Sequence, residues 1–345
     1  MTVKRMQEHL SRWLVLYVVA VMGLGVGLGW PARSWATAHQ GMLSTLTTVA
    51  VPLIIYPMMV NVRFGALTRA GRNLKGLGLA LGYNFVWAPL LGLGLAHVFL
   101  GNPMLAMGFL LVMVVPCSSM SIAYTGLAEG DLELATVVVA VSFLLSIAVV
   151  PLWMTVFAAG YQVPMPISQL LLSIVEVLIG PMVAGALTRV ALVRWRGQAF
   201  VGRLQPLFAS MSLVMMFVII FLIFFGKADM IVGKWSTVLL LLVPNFLFVA
   251  ITLAVVTLVD RLLHLSYREH MAVVFAATGK NNGTAIAIAT MAFSAMVAIP
   301  AATLPIFQVV LLVLYLKAAG AVRRLFRAPV VVAGGSSDVR ATTAA

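Results

Sequence analysis

Apolar segments long enough to cross a bilayer follow one another along almost the whole chain. A spanning helix needs about 20 mostly apolar residues. Charged residues make up only 9% of the 345 residues, whereas soluble domains carry about 25%. The sequence therefore predicts an all-α membrane protein with ten transmembrane helices, at residues 13–30, 43–61, 76–99, 104–127, 132–159, 167–189, 206–225, 236–260, 268–296 and 299–321.

These segments predict one membrane domain at residues 1–328. The basic stretch 1–12 leads into the first apolar run, but no convincing small-residue cleavage site follows. Nine further apolar segments come after it, so we interpret this run as a span and not as a signal peptide. The tail at residues 329–345 is small and polar and is predicted to be disordered.

Lysine and arginine fall mostly on one side of the predicted spans. Of the 22 such residues, 18 lie in segments that are cytoplasmic if the N-terminus is inside. Three lie in the outer loops (Arg33, Lys227 and Lys234), and Lys280 lies within a span. This bias predicts a multi-pass protein of the plasma or inner membrane with both termini in the cytoplasm. It also explains the net charge of +13 without a nucleic-acid partner, since the expected environment is the lipid bilayer.

Two features recur at one offset in the two halves of the chain. The pair Asn84-Phe85 recurs as Asn245-Phe246, and the interruption at 116–119 recurs at 277–280, each 161 residues later. Two Asn-Phe pairs alone could coincide by chance. Together with five spans in each half, they predict an inverted repeat, about 13–159 and 167–321, in which broken helices four and nine cross at the membrane midplane.

Interrupted helices expose backbone groups that can bind a solute or an ion. Pro116 removes a backbone donor, and Gly279 and Gly283 relax the second interruption. The asparagines have simpler alternative roles as helix caps or interhelical contacts, and Cys117 as a small buried side chain. We nevertheless predict a site for a small polar or oxyanion solute, formed by Asn84, Cys117, Ser118, Ser121, Asn245, Asn281 and Asn282.

Two ionisable residues within predicted spans are candidate coupling groups. Lys280 lies in the second interruption, where a charged residue is costly and is usually functional. Its alternative role is structural, as a cation that ties half-helix carbonyls together. Glu176 lies centrally in the sixth span, either paired or acting as a second proton carrier. Protons are therefore a candidate partner, and Gln308 is expected to make a helix–helix contact.

Several functional classes lack their signatures in this chain. No Gly-x-x-x-x-Gly-Lys-Ser/Thr run occurs, which disfavours an ATP-driven pump. No metal-ligand histidine cluster and no acid–base or nucleophile constellation is evident, so we expect neither an enzyme nor a bound metal or cofactor. Too few polar residues lie within the spans to line a continuous channel.

Several segments together resemble the arsenite permeases of the arsenical-resistance type, within the bile acid/arsenite/riboflavin transporter superfamily. The likeness covers residues from about 45 to 320. It implies a ten-helix carrier with a core domain (helices 3–5 and 8–10) and a panel domain (helices 1–2 and 6–7). It also implies export of arsenite through a site that includes Cys117, since trivalent arsenic is thiophilic. The segments are Ile55–Phe64, Asn84–Leu90, Cys117 followed by Gly126–Asp131, Gly180–Arg189 and Tyr267–Phe293.

The chain departs from its apparent relatives at the second crossing. Arsenite permeases carry an Asn-Asn-Phe-Glu run there, but Gly283 or Thr284 takes the place of the acid, which argues against proton-coupled arsenite exchange. The sodium-coupled bile acid branch has a glutamate where Ala277 stands and an asparagine where Ile122 stands. We therefore expect sodium-independent efflux of arsenite or a related metalloid. The alternative is a sodium-independent carrier of an organic anion, with Lys280 in place of the coupling cation.

Overall fold

The computed structural model describes residues 3–62, 73–162, 167–233 and 235–326. The tail predicted to be disordered, residues 329–345, lies outside this range. All regular elements of the described residues are helical, which agrees with the all-α prediction.

The first half of the chain contains helices α1 to α9 and one π-helical turn. In chain order they are α1 (Val3–Arg12), α2 (Leu14–Gly29), α3 (Arg33–Ala38), α4 (Gln40–Asn61), α5 (Leu74–Gly82), π1 (Tyr83–Trp87), α6 (Ala88–Phe99), α7 (Pro103–Val114), α8 (Met120–Leu127) and α9 (Leu132–Tyr161).

The second half contains helices α10 to α19 and two further π-helical turns. In chain order they are α10 (Ile167–Ile174), π2 (Val175–Ile179), α11 (Gly180–Arg196), α12 (Gln198–Gly226), α13 (Ala228–Gly233), α14 (Trp235–Leu240), α15 (Leu242–Leu262), α16 (Tyr267–Thr278), α17 (Asn282–Ile288), π3 (Ala289–Phe293), α18 (Ala295–Lys317) and α19 (Ala319–Leu325).

Within the described ranges, seven continuous helices are long and apolar enough to cross a membrane. An eighth candidate combines α1 and α2, which meet at a bend of 71°. The count is lower than the ten predicted from hydropathy, because the predicted spans 104–127 and 268–296 are each divided into two shorter helices. The seven are Gln40–Asn61, Leu74–Phe99, Leu132–Tyr161, Ile167–Arg196, Gln198–Gly226, Leu242–Leu262 and Ala295–Lys317.

The long helices pack into two groups. One group brings together α2, α4, α11 and α12, and the other brings together α5 to α9 and α15 to α18. Glycines allow close approach in both groups. A Cβ atom added to Gly185 would lie 2.6 Å from the Met59 side chain, and one added to Gly108 would overlap the Val297 carbonyl oxygen. The two interrupted helices belong to the second group.

Local sequence signals fix where the interrupted helices begin. Asn102 caps α7 by accepting from the backbone N–H groups of Met104 and Leu105, and Pro103 occupies the first turn. Ser266 and Glu269 form a reciprocal capping box at the start of α16. Each first half-helix is thus anchored at one end and ends at its interruption, after Val114 and after Thr278.

Candidate functional site

The two helix interruptions lie against each other and pair through their backbones. Cys117 and Lys280 form an isolated antiparallel bridge. The N–H of Ser118 donates to the Gly279 carbonyl at 2.7 Å, and the N–H of Asn281 donates to the Pro116 carbonyl at 3.1 Å. These bonds satisfy backbone groups that the helix ends leave free. We call residues 115–119 and 279–281 together the crossing.

The Lys280 side chain is fully buried and is held by three oxygen atoms. Its Nζ donates to the Met113 carbonyl at 2.8 Å, and to the carbonyl and the Oδ1 of Asn84, each at 3.1 Å. An ammonium group has three donors, so all three are used. Gln308 binds the backbone of Lys280. Its Oε1 accepts from the Lys280 N–H and its Nε2 donates to the Lys280 carbonyl, both at 3.2 Å.

Cys117 and Ser121 lie within the packed core next to the crossing. The thiol of Cys117 has no exposed surface, and its Sγ lies 3.2 Å from the Ser142 Oγ. Ser121 Oγ donates to the Phe275 carbonyl at 2.8 Å and so joins α8 to α16. Neither residue lines the cavity described below.

The remaining predicted residues divide between the crossing and more distant positions. Asn84 on π1 holds Lys280, and its Nδ2 also donates to the Ala276 carbonyl at 3.2 Å. Asn245 instead joins α15 to α18, donating to Thr303 Oγ1 at 2.9 Å. Glu176 lies on π2 with an exposed side chain, and we find no partner for it among the described residues. The structure therefore does not bring Asn245 or Glu176 to the crossing.

A cavity of about 150 Å³ adjoins the crossing, and we call it the crossing cavity. Its wall includes Ser118 and the stretch Lys280–Gly283 from the crossing side. Helices α1, α4, α12 and α18 supply most of the rest, with Leu14 of α2 and the Ser119–Met120 pair, so the cavity lies between the two helix groups. Asn281 and Asn282 thus lie in the wall of this cavity, and Asn281 also caps α17 by accepting from the Thr284 N–H.

Three residues of the cavity wall each carry a buried oxygen without a hydrogen-bond partner. They are Asn61 through Oδ1, Ser119 through Oγ and Asn282 through Oδ1. Buried polar atoms are bonded in the great majority of cases, so the wall of this small cavity contains three acceptors whose hydrogen-bonding capacity is unused within the described residues. We did not predict Asn61 and Ser119 from the sequence, because neither is unusual in type and only tertiary packing brings them together.

A second cavity lies at the other end of the α17–π3 segment. It has a volume of about 210 Å³, and we call it the distal cavity. Thr290, Phe293 and Ser294 line it, together with Lys227 and Thr47. One continuous helical stretch, Asn282–Phe293, therefore has its first turn at the crossing cavity and its last turn at the distal cavity.

Comparison with known proteins finds transport and resistance proteins. The sequence profile of the sodium bile acid symporter family matches residues 48–234, more than half of the chain. The arsenical-resistance protein Acr3 of Alkaliphilus metalliredigens is 27% identical over 251 residues, covering 68% of this chain and 70% of that protein. Acr3 of Corynebacterium glutamicum is 23% identical over 303 residues, covering 84% and 82%. The uncharacterized transporter slr0944 of Synechocystis is 24% identical over 313 residues, covering 84% and 80%.

Proposed function

Because this chain belongs to the sodium bile acid symporter family, we propose that it is a sodium-independent carrier that exports arsenite or a closely related metalloid. Family membership and the apolar helices make it a multi-pass membrane protein and a secondary transporter. The substrate is carried over from two relatives named for arsenical resistance.

The proposed carrier has ten spans in two inverted halves and lies in the cell membrane with both termini in the cytoplasm. Each interrupted pair, α7 with α8 and α16 with α17, counts as one broken span that reaches the midplane. The group α2, α4, α11 and α12 corresponds to the panel domain, and the group containing the crossing corresponds to the core domain. The antiparallel backbone pairing of Cys117 with Lys280 supports a crossing of two oppositely directed halves.

The observation that carries the substrate proposal is the set of unpartnered oxygens at the crossing cavity. Arsenous acid is uncharged in neutral water and presents three hydroxyl groups. Asn61, Ser119 and Asn282 carry three oxygens with unused acceptor capacity. Each has almost no exposed surface in this conformation, so a side-chain rotation toward the cavity brings it to such donors. A cavity of about 150 Å³ also matches a small solute better than a drug-sized one, since pockets for drug-sized ligands run from about 300 Å³ upward.

An organic anion fits this cavity less well. Lys280 is the sole lysine or arginine among the cavity-lining residues of the described chain. Its ammonium group already donates to three protein oxygens. A carboxylate or sulfonate would therefore enter a site that has unpaired acceptors and no available cation, which is electrostatically unfavourable.

The same contacts support the sodium-independent proposal. The Lys280 Nζ lies among the Asn84 carbonyl, the Asn84 amide oxygen and the Met113 carbonyl, which are oxygen ligands of the kind that bind hard cations. A covalently attached ammonium thus fills a position that a free cation could occupy. We propose that it stabilises the crossing throughout the transport cycle and removes the need for sodium.

The thiol of Cys117 gives the proposed site its preference for arsenic. Ser118, its neighbour in the chain, lines the crossing cavity, whereas the sulfur lies behind it at the Ser142 hydroxyl. A single thiol can bind trivalent arsenic only weakly, which suits a carrier that must release its solute. We propose that the thiol contacts arsenic when the two interruptions separate during transport.

The test is arsenite accumulation in cells that lack their own exporter, at varied sodium and external pH. Cells that express the protein should accumulate less arsenite, independently of sodium. Cys117→Ser keeps a hydroxyl for Ser142 but removes the soft ligand, and it should abolish the difference. Equal accumulation with and without the protein under every condition would remove the metalloid proposal. If Cys117→Ser exports arsenite as the wild type does, the thiol has no role in the proposed transport.

A further inference from the structure

A closed hydrogen-bonded cluster lies away from the crossing, and the proposed solute site does not use it. Asp260 and His270 have no exposed surface, and Asp260 Oδ2 lies 2.7 Å from His270 Nδ1. Tyr83 donates its hydroxyl to Asp260 Oδ1 at 3.0 Å. His270 Nε2 lies 2.7 Å from the Tyr315 hydroxyl, which lies 2.6 Å from Thr257 Oγ1. We call these five residues the Asp–His cluster.

Counting hydrogens gives one protonation state of this cluster. Thr257 Oγ1 donates to the Leu253 carbonyl at 2.6 Å, so it can only accept from Tyr315. Tyr315 has one hydroxyl hydrogen, which it donates to Thr257 in this arrangement. Its oxygen must therefore accept a hydrogen from His270 Nε2. With Nδ1 donating to Asp260, His270 carries a hydrogen on both ring nitrogens. In this state it is an imidazolium paired with a carboxylate.

A second state satisfies the same atoms with one proton fewer. If Thr257 turns its hydrogen to Tyr315, Tyr315 can turn its own hydrogen to His270 Nε2. The imidazole is then neutral and still donates from Nδ1 to Asp260, which also keeps the bond from Tyr83. Rotation of two hydroxyl groups therefore restores the hydrogen bond that is lost when Nε2 gives up its proton. In both states every side chain of the cluster keeps a hydrogen-bond partner. A purely structural ion pair does not require this second arrangement.

We infer that His270 in the Asp–His cluster is a proton-binding site whose occupancy controls the crossing. This inference rests on the proposed carrier function and adds a proton as a second ligand, at residues other than Lys280 and Glu176. Proton binding involves no other co-reactant, because a proton from water adds to Nε2 and leaves again. Tyr315 and Thr257 are partly exposed and provide its route.

The π1 turn connects the cluster to the crossing. Tyr83, which donates to Asp260, is followed in the chain by Asn84, which holds Lys280 through two oxygens. In the charged state the carboxylate of Asp260 is stabilised by an imidazolium. In the neutral state the hydrogen bond from the Tyr83 hydroxyl contributes a larger share of its stabilisation. A change in that bond moves π1 and with it the oxygens around the Lys280 ammonium. π-Helical turns inside α-helices frequently occur at functional sites.

Other charged or titratable groups near α16 are engaged elsewhere or lie at the surface. The packing elements are α5, α8, α9, α15, α18, π1 and α19. Apart from the cluster itself, several of their groups make contacts of their own: Lys75 donates to the Leu263 carbonyl, Tyr124 stacks on Phe275, Asp131 caps α9, Glu269 bonds Ser266 and Asn73, and Arg323 pairs with Glu129 while lying over Tyr267. Glu133 is half-buried on the first turn of α9, and the remaining groups are exposed: Arg261, His264, Arg268, Lys317 and Arg324. His270 is thus the basic group in direct contact with Asp260.

The test follows backbone hydrogen exchange of the purified full chain, without any solute. Exchange of peptides covering residues 80–90 and 276–284 is compared between about pH 5 and 8, the range in which histidine changes charge, after correction for intrinsic exchange. The wild type should show a pH-dependent change in both peptides. His270→Gln should lose it in both. Tyr83→Phe should keep a change around residues 267–275 but lose it at 276–284.

Two further variants make the result decisive. His97→Gln makes the same substitution at an exposed histidine on α6 and should behave as the wild type. Tyr315→Phe removes the hydroxyl that Nε2 uses in both states and should alter the pH dependence of exchange in both peptides, which remains measurable if His270→Gln folds poorly. A wild-type pH profile in both His270→Gln and Tyr315→Phe would overturn the inference. Because no solute is present, this outcome is separate from a failure of the arsenite proposal.

Discussion

At the scale of single residues, Lys280 shows how a cation can be accommodated deep in an apolar core. Three oxygen acceptors converge on its Nζ, and Gln308 binds its backbone on the other side. Isolated charges are very costly in such surroundings, whereas fully bonded ones are tolerated. The residue thus connects π1, α7, the second interruption and α18 at a single point.

Replacement of this ammonium should cost both stability and transport. Lys280→Met keeps most of the side-chain volume but leaves three buried acceptors unpaired, each at about 1–3 kcal/mol. We expect a lower thermal unfolding midpoint in detergent and loss of export. Lys317→Met, at the exposed end of α18, serves as the matched control. If Lys280→Met unfolds at the wild-type midpoint, the three contacts contribute little to stability.

The unpartnered oxygen of Asn282 should matter for the solute and not for the fold. Asn282→Leu is close in volume and removes a buried polar atom that has no partner. Stability should therefore be unchanged or slightly higher, while arsenite export falls through a raised KM. Uptake kinetics in inside-out vesicles, together with a thermal unfolding curve, separate the two effects. Export with an unchanged KM would contradict the assignment of this oxygen to solute binding.

The sequence indicated some of these residues and could not indicate others. Lys280, Asn281 and Asn282 stand out because polar residues interrupt an apolar run that is otherwise continuous. Asn61 and Ser119 do not stand out, because their role depends on how α4 packs against the crossing. Asp260 and His270 lie near predicted span ends, where polar residues are common, so only the folded contacts reveal that they are buried together.

At the scale of helices, the contact between α7 and α18 fixes the position of the first interruption. Gly108 on α7 lies so close to α18 that an added Cβ would overlap the Val297 carbonyl oxygen. Small residues allow such approach between membrane helices. The π-helical turns and both interruptions lie in or beside this closely packed group, and hydropathy alone does not predict a π-helical turn. The sequence does predict the interruptions, through Pro116 and Gly279.

A side chain added at Gly108, where α7 lies against α18, should destabilise the protein. Gly108→Ala forces α7 away from the α18 backbone and should cost about 1–3 kcal/mol. Gly94→Ala on α6 is the control, because nothing lies within 4 Å of the added atom. The measurement is the unfolding midpoint of both variants in the same detergent. Equal midpoints would mean that the two helices can separate without loss of stability.

Helix α19, the last in the described part of the chain, is held by a surface ion pair that responds to acid. Arg323 lies 2.6 Å from Glu129, and it holds the pKa of that carboxyl below its usual value. The pair therefore contributes its full stability at pH values above the ordinary pKa of glutamate. This stability is lost as the pH falls through the lowered pKa of Glu129 in the folded protein. Glu129→Gln should increase hydrogen exchange of residues 319–325 at neutral pH. At strongly acidic pH the variant and the wild type should exchange alike, and a difference that persists there would exclude this cause.

At the scale of the whole molecule, the two cavities lie at opposite ends of Asn282–Phe293. The crossing cavity includes residues of α1, and the distal cavity includes Lys227, which the charge bias assigns to the other side of the membrane. A carrier must open to one side at a time, and relative movement of two helix groups around a fixed site achieves this. In the present conformation the crossing cavity, which is the proposed solute site, lies next to α1.

Cysteine labelling can test this arrangement without altering Cys117. It is the sole cysteine and has no exposed surface in this conformation, so its labelling in the wild type, with and without arsenite, gives the background to subtract. A membrane-impermeant thiol reagent should label Ser11→Cys, on α1 in the wall of the crossing cavity, from the cytoplasmic side, and Ser294→Cys from the outer side. Arsenite should change the two labelling rates in opposite directions, because one movement closes one cavity and opens the other. Gly101→Cys, on an exposed turn, should be unaffected by arsenite. Labelling of both cavity positions from the same side would contradict the inverted topology, and rates that rise or fall together would contradict alternating access.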